Sequence, residues 1–146
     1  MDANKIFGLF NDDEPGLENK KVQYNDILLD DYKKHPLFWV GMFKKLIYNH
    51  NIFKEQLLKF FEKSDENLDK SDIDKAGEYI IFGKAWDFIK NIHPDNKSHQ
   101  EALYHFADLD LKIAIESSIK YFQGQEEYEK CAHLKKNLDF LKLLLT

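Results

Sequence analysis

Apolar side chains recur every three or four positions along most of this chain, which is the spacing of one face of an α-helix. Polar breaks, several of them with glycine or proline, divide the pattern into segments. The pattern predicts helices over residues 22–34, 37–63 with an interruption at 49–51, 71–92, 98–106, 110–122 and 125–144. No segment shows the convincing apolar–polar alternation of a strand. We therefore expect an all-α fold, an irregular or orthogonal bundle of six to seven helices that ends in a helical hairpin.

Several residues mark the expected ends of these helices. Ser71 and Ser98 each have an acidic residue three positions later, which is the spacing of a capping box. Asp108 or Asp110 is placed to cap the helix that follows, and Gly124 is typical of a helix C-terminus. The positions expected to be buried in the 71–92 helix are Ile73, Ala76, Ile80, Ile81, Ala85, Phe88 and Ile92. Those expected along one seam of the last helix are Tyr128, Cys131, Ala132, Leu138, Leu141 and Leu145.

The length of 146 residues fits one domain with a short extension. Near the start, a polar run over residues 11–16 contains proline and glycine and does not continue a helix or a strand. We expect an acidic, flexible tail over residues 1–20 and a single helical domain over residues 21–146.

The tail carries four apolar residues ahead of its acidic run, namely Ile6, Phe7, Leu9 and Phe10. Aromatic side chains in a polar segment are costly to leave in water, so they either pack back onto the domain or enter a groove of a partner. Both alternatives remain open, and the second makes these four residues candidate partner-binding residues.

The basic residues are 21 lysines, and the chain contains no arginine. Without a guanidinium group, every contact to phosphate must come from lysine, hydroxyl groups or the backbone. A chain rich in lysine and asparagine is typical of AT-rich coding DNA, so we expect an AT-rich bacterium or its phage as the source. The single cysteine excludes an internal disulfide.

The first residues are acidic and lack a basic start followed by an apolar stretch, so we expect no signal peptide. No apolar run is long enough to span a membrane. A cytoplasmic location follows as an expectation, in the cell of origin or in an infected host.

Charge is distributed unevenly, because residues 32–63 carry a net charge of +5 between two segments that each carry −5. Lysines in the segment 33–59 alternate with aromatic residues that could stack on bases. The segment is therefore a candidate nucleic-acid-binding surface, with Lys33, Lys34, Lys44 and Lys45 as its contacts. The aromatic residues also have the spacing of a core face, and the sequence pI of about 5.7 is acidic, both of which argue against this alternative.

Residues 126–138 form a motif of an aromatic residue, an acid, two small residues and then leucine and lysine. Tyr128, Glu129, Cys131, Ala132 and Leu134 occupy these places, with Lys135, Leu138 and Leu141 after them. The motif resembles the second helix of the UVR-type hairpin of excision-repair subunits B and C and of some Clp-protease partners. It departs from that pattern at Cys131, Lys135 and Lys136.

The resemblance covers residues 110–144, and it implies a hairpin that docks on another protein. We expect the small residues to allow close approach of two helices and Tyr128 to close the turn. Tyr128 and Leu134 are thus candidate partner-binding residues.

Glu101, His105 and Asp108 are spaced to share one helix face, where a divalent metal could bind. No second group of ligands has paired spacing, and the chain has no nucleophile elbow, phosphate-binding glycine loop or dinucleotide fingerprint. We expect no metal, no cofactor and no enzymatic activity.

The pattern as a whole favours a small, non-enzymatic adaptor or regulator that acts through protein–protein contacts and is encoded by a phage or its host. A nucleic-acid accessory protein that uses residues 33–59 is the alternative. The oligomeric state stays open.

Overall fold

A computed structural model of the chain describes residues 31–63 and 70–146, which contain five complete helices. They are α1 (Pro36–Lys63), α2 (Lys70–Ile89), α3 (Lys97–His105), α4 (Leu109–Gly124) and α5 (Tyr128–Leu144). All regular secondary structure in these ranges is helical, which confirms the predicted all-α fold.

Residues 36–146 form one compact unit, and the chain divides between His35 and Pro36. Of the residues before Pro36, only 31–35 are described, and 31–33 are helical. The predicted tail over residues 1–20 and most of the predicted 22–34 helix therefore lie outside the described residues. No helix in the described part combines the length and the apolar character needed to cross a bilayer.

The first two helices pack against each other in antiparallel orientation. Near the start of α1, the ring centroids of Phe38 and Phe88 are 5.6 Å apart, and farther along, Lys54 Nζ lies 3.2 Å from Glu78 Oε1. Helix α4 packs on α1 and on α5, and α3 also contacts both α1 and α5.

The core is formed where the N-terminal half of α1 meets the C-terminal half of α2, together with α4 and α5. Val40, Phe43 and Ile47 supply the α1 part, each fully buried. Burial of one large apolar side chain contributes about 1.5–3 kcal/mol. The other buried apolar residues are Phe82, Ala85, Ile89, Ile92, Ala102, Leu103, Leu111, Ala114, Ile115, Phe122, Leu134, Leu138 and Leu141.

The predicted interruption at residues 49–51 is wrong, because α1 continues through it as one helix of 28 residues. Asn49 is exposed, and the His50 ring packs edge-on against Phe82 at a centroid distance of 5.8 Å. A short run of polar residues does not break a helix when the side chains reach solvent or pack on an aromatic ring. Helix α1 packs on α2 both before and after residues 49–51.

Two expectations for α2 are also corrected. The helix ends at Ile89 rather than Ile92, which is nevertheless buried in the following loop. Ala76 and Ile80, expected to be buried, are exposed. Ala85 is buried as predicted, and the other strongly buried positions of α2 are Phe82 and Ile89, which share the side of the helix that faces the core.

Helices α3 and α4 begin with capping residues of the expected types, although the cap of α3 is not the residue that was predicted. Asn96, not Ser98, caps α3, since its Oδ1 accepts hydrogen bonds from the backbone N–H groups of Ser98 (2.9 Å) and His99 (3.4 Å). Asp108 caps α4 as predicted and accepts from Leu111 N–H at 2.8 Å.

The last helix begins at Tyr128, three residues later than predicted, after Glu126 adopts a positive φ of 60°. Its buried residues are Leu134, Asn137, Leu138 and Leu141. Three positions expected in the seam, Tyr128, Ala132 and Leu145, are exposed, because the buried face is rotated toward α2 and α4.

Candidate functional site

A groove of about 410 Å³ runs between α1 and α2 and opens to solvent. Its walls are mostly apolar, with Leu46, Phe53 and Leu57 on α1 and Ile80 and Ile81 on α2. Phe53 is 59% exposed and Ile80 is 53% exposed, so large apolar side chains face water here. The remaining lining residues are Asn49, His50, Lys54, Asp74 and Gly77.

The groove exists because the α1–α2 pair is longer than the core that it covers. Among the residues whose burial is described, the strongly buried apolar residues of α1 precede Tyr48, and those of α2 follow Ile81. The other halves of the two helices pack on each other and leave an apolar face uncovered among the described residues. The large apolar side chains exposed in these halves are Tyr48, Ile52, Phe53, Leu58, Phe60, Tyr79 and Ile80.

One polar side chain of the groove lining, Lys54, is engaged in an ion pair. Lys54 and Glu78 form the ion pair described above, which leaves little net charge at that level of the groove. Burial lowers the pKa of His50, and Lys54 acts in the same direction, while Glu78 opposes it. The neutral form of His50 is thereby favoured near neutral pH.

A second, more polar pocket of about 360 Å³ lies where α4 meets α1 and α2. It shares His50 and Lys54 with the groove, and α4 adds Ser117, Lys120 and Tyr121. Burial raises the pKa of Tyr121, so its hydroxyl stays protonated and can donate a hydrogen bond. No hydrogen bond joins Ser117 to His50 in the part of the chain that the structure describes, so this pocket lacks an assembled nucleophile and base.

The predicted partner-binding residues are separated by the fold. Tyr128 is 63% exposed at the start of α5, whereas Leu134 is fully buried in the core. Leu134 is therefore a packing residue and is not available to a partner in this fold. Ile6, Phe7, Leu9 and Phe10 lie outside the described residues.

Helices α4 and α5 form the predicted hairpin, connected through residues 125–127. The Cys131 thiol donates to the Ile119 carbonyl at 3.5 Å, which shows the close approach expected at a small residue. Lys130 Nζ lies 4.9 Å from the Phe122 ring centroid and 3.3 Å from Glu127 Oε1, so it closes the turn end in place of Tyr128. The kinship to UVR-type hairpins stays a prediction.

The predicted nucleic-acid contacts are also separated. Lys33, Lys34 and Lys45 are exposed, but Lys44 is half-buried and pairs with Asp108. The hydrogen bond and charge of Lys44, with the Leu111 N–H, lower the pKa of Asp108 although burial acts to raise it. Phe43, one of the candidate stacking rings, is fully buried.

The three residues considered as a metal-binding face do not share one helix. Glu101 and His105 are on α3, while Asp108 follows the end of that helix and caps α4. Within residues 31–63 and 70–146, no three histidine, cysteine or acidic side chains are arranged to hold a metal ion.

The groove was not predicted, although the sequence contains a pattern that indicates it. Phe53, Leu57 and Phe60 continue the helical apolar spacing of Leu46 beyond Ile47, the last apolar residue of α1 that is described as buried. No protein family, curated protein or solved structure matches this chain.

Proposed function

We propose that this protein is a non-enzymatic adaptor or regulator that binds a helical segment of another protein in the α1–α2 groove. The observation that carries this proposal is the solvent-open apolar groove, with Phe53 and Ile80 more than half exposed on its two sides. Amphipathic helices commonly dock in grooves of this kind, with apolar residues at helical spacing as anchors.

Charge favours a different protein over a second copy of this chain. Helix α1 carries five lysines and two glutamates, a net charge of +3. A symmetric contact that places the two α1 helices against each other brings charges of the same sign together, which is unfavourable. A partner with acidic residues meets no such repulsion.

The proposal is tested with a double variant, Phe53→Asp with Ile80→Asp, which places charge on both walls of the groove. The matched control is Tyr104→Asp, at an exposed aromatic residue of α3 outside the groove. Tagged proteins are used to capture partners from a bacterial lysate, since the arginine-free composition favours a bacterial or phage source. We expect a partner that is retained by the wild type and the control and lost by the double variant.

Retention of all partners by the double variant overturns the proposal, provided that its far-ultraviolet circular dichroism and melting temperature match the control. A further variant without residues 1–20 tests the predicted role of Ile6, Phe7, Leu9 and Phe10 in the same capture. Partners that depend on the tail and not on the groove would assign the function to the tail instead.

A further inference from the structure

The groove has one basic end. Lys45 on α1 is one turn before Asn49, and Lys84 on α2 is one turn after Ile80, so both lie just beyond the lining of the groove. Lys84 also lines a neighbouring pocket that includes Glu127, and Glu127 itself pairs with Lys130. Because α1 and α2 are antiparallel, with His50 beside Phe82 and Lys54 beside Glu78, Lys45 and Lys84 lie at the same end.

Neither of these lysines is neutralised by the described part of the chain. Lys45 and Lys84 are exposed, and neither forms an ion pair with another described residue. The nearest acid along α2, Asp87, pairs with Lys90 at 3.3 Å. Toward the other end of the groove, Lys54 is paired with Glu78, and Asp74 contributes a carboxylate to the lining.

The described residues therefore give the groove a net positive charge at one end, from Lys45 and Lys84. Toward the other end, three lysines are balanced by three acids, namely Lys59, Lys63 and Lys75 with Glu55, Glu62 and Asp74. An apolar helix gains burial in either direction, but its charged residues distinguish the two directions. A helix with acidic residues at one end is attracted when that end lies beside Lys45 and Lys84, and gains no such net attraction in the reverse direction.

We propose that the partner segment is an amphipathic helix with acidic residues at one end, and that this end binds beside Lys45 and Lys84. The inference rests on the proposed function, since it assigns the chemistry and direction of the helix in the same groove. The lysines set the direction of binding, and the apolar walls supply most of the buried surface.

The test uses three synthetic amphipathic peptides, each stapled to equal helicity and long enough to span the lining of α1, about 18 Å. All carry leucine and phenylalanine at helical spacing. One has glutamates in its N-terminal half, the second has them in its C-terminal half, and the third has glutamine in their place. Affinity for the full chain is measured by calorimetry at low and at moderate salt.

We expect both acidic peptides to bind about tenfold more tightly than the glutamine peptide at low salt, with a smaller difference at moderate salt. The variant Lys45→Glu with Lys84→Glu should remove this difference. The control Lys135→Glu with Lys142→Glu changes the net charge by the same amount at exposed positions of α5, and it should retain the difference in affinity between the peptides.

Direction is read by nuclear magnetic resonance with a spin label on the acidic end of each peptide. We expect broadening of the amide signals of residues 45 and 84 with both peptides, because direction follows charge and not chain polarity. Broadening at residues 57 and 74 instead would overturn the inference.

The two proposals fail in different ways. Equal binding of all three peptides, abolished by Phe53→Asp with Ile80→Asp, overturns the acidic partner and leaves the groove as a docking site. No binding of any peptide overturns both proposals. Self-association of the wild type that is lost in the groove variant, measured by sedimentation, would show a second copy as the occupant and overturn both as stated.

Discussion

The Nε2 atom of His133 on α5 lies 3.0 Å from the carbonyl oxygen of Ile89, the last residue of α2. A carbonyl oxygen only accepts, so Nε2 carries the proton and donates. One turn later, Asn137 Nδ2 donates to the Ile92 carbonyl at 3.4 Å. These two side chains of α5 therefore bind carbonyl groups at the last residue of α2 and in the loop after it, and the Ile89 carbonyl also accepts the Ile92 N–H at 3.0 Å.

The contact between His133 and Ile89 predicts a loss of stability when the imidazole is removed. We expect His133→Ala to lower the free energy of unfolding by about 0.5–1.5 kcal/mol, since the Ile89 carbonyl loses one of two donors and keeps the Ile92 N–H at 3.0 Å. Urea denaturation followed by circular dichroism measures this change. His105→Ala, at an exposed histidine, is the control, and an equal loss in both variants would contradict the assigned role of His133.

The histidines also predict a pH dependence of stability. His99 Nδ1 accepts the backbone N–H of His93 at 2.9 Å, an arrangement that protonation of this nitrogen destroys. Burial, and then the charge of His93, lower the pKa of His99 below its usual value of 6.5. Burial is also the main cause that lowers the pKa of His133, with smaller contributions from His93 and Lys136, against the hydrogen bond to Ile89.

Because these pKa values are lower in the folded state than in the unfolded chain, the unfolded chain binds more protons below pH 6.5. Above pH 6.5, these groups should therefore have no effect on the free energy of unfolding. As the pH drops below 6.5 toward the pKa values of the folded state, the free energy of unfolding should fall. Urea denaturation at a series of pH values measures the slope. In His99→Gln, whose amide oxygen can still accept, we expect a smaller slope, and an unchanged slope would exclude His99 as a cause.

Gly41 predicts a steric effect in α1. A Cβ atom at this position would lie 2.9 Å from Cζ of Phe106, so an alanine here displaces the ring or the helix. We expect Gly41→Ala to lower the free energy of unfolding by about 1–3 kcal/mol. Gly83→Ala is the matched control in α2, where no atom lies within 4 Å of the added Cβ, and it should stabilise by about 0.5–1 kcal/mol.

The nucleic-acid alternative makes its own prediction. Binding through residues 33–59 should weaken steeply as salt increases and should be lost on replacement of the exposed Lys45. Under the adaptor proposal we expect no such binding of a single-stranded oligonucleotide, measured by fluorescence anisotropy. Salt-dependent binding that Lys45→Ala abolishes and Lys135→Ala leaves intact would favour the alternative.

Features that depend on neighbouring residues were predicted well. The sequence narrowed the cap of α4 to Asp108 or Asp110, and Asp108, three residues before the Leu111 N–H, is the one that caps it. For α3, the predicted cap was Ser98, whereas the structure shows Asn96. Both residues lie within one turn, and the choice between them depends on where α3 contacts α1 and α5.

Features that depend on packing were predicted poorly. Leu134 and Tyr128 both fit an apolar seam in the sequence, yet one is buried and the other is exposed, since the face of α5 that is covered depends on its rotation against α4. For the same reason, Ile80 belongs to a helical stripe but faces the groove and not the core.

The sequence by itself determined that the chain is helical, because hydrophobic spacing and capping groups act within a few residues of one another. Only the tertiary structure decided which apolar stripes became the core and which became the walls of the groove. That outcome depends on how far α4 extends along the longer α1–α2 pair, a relation between distant segments that no local pattern contains.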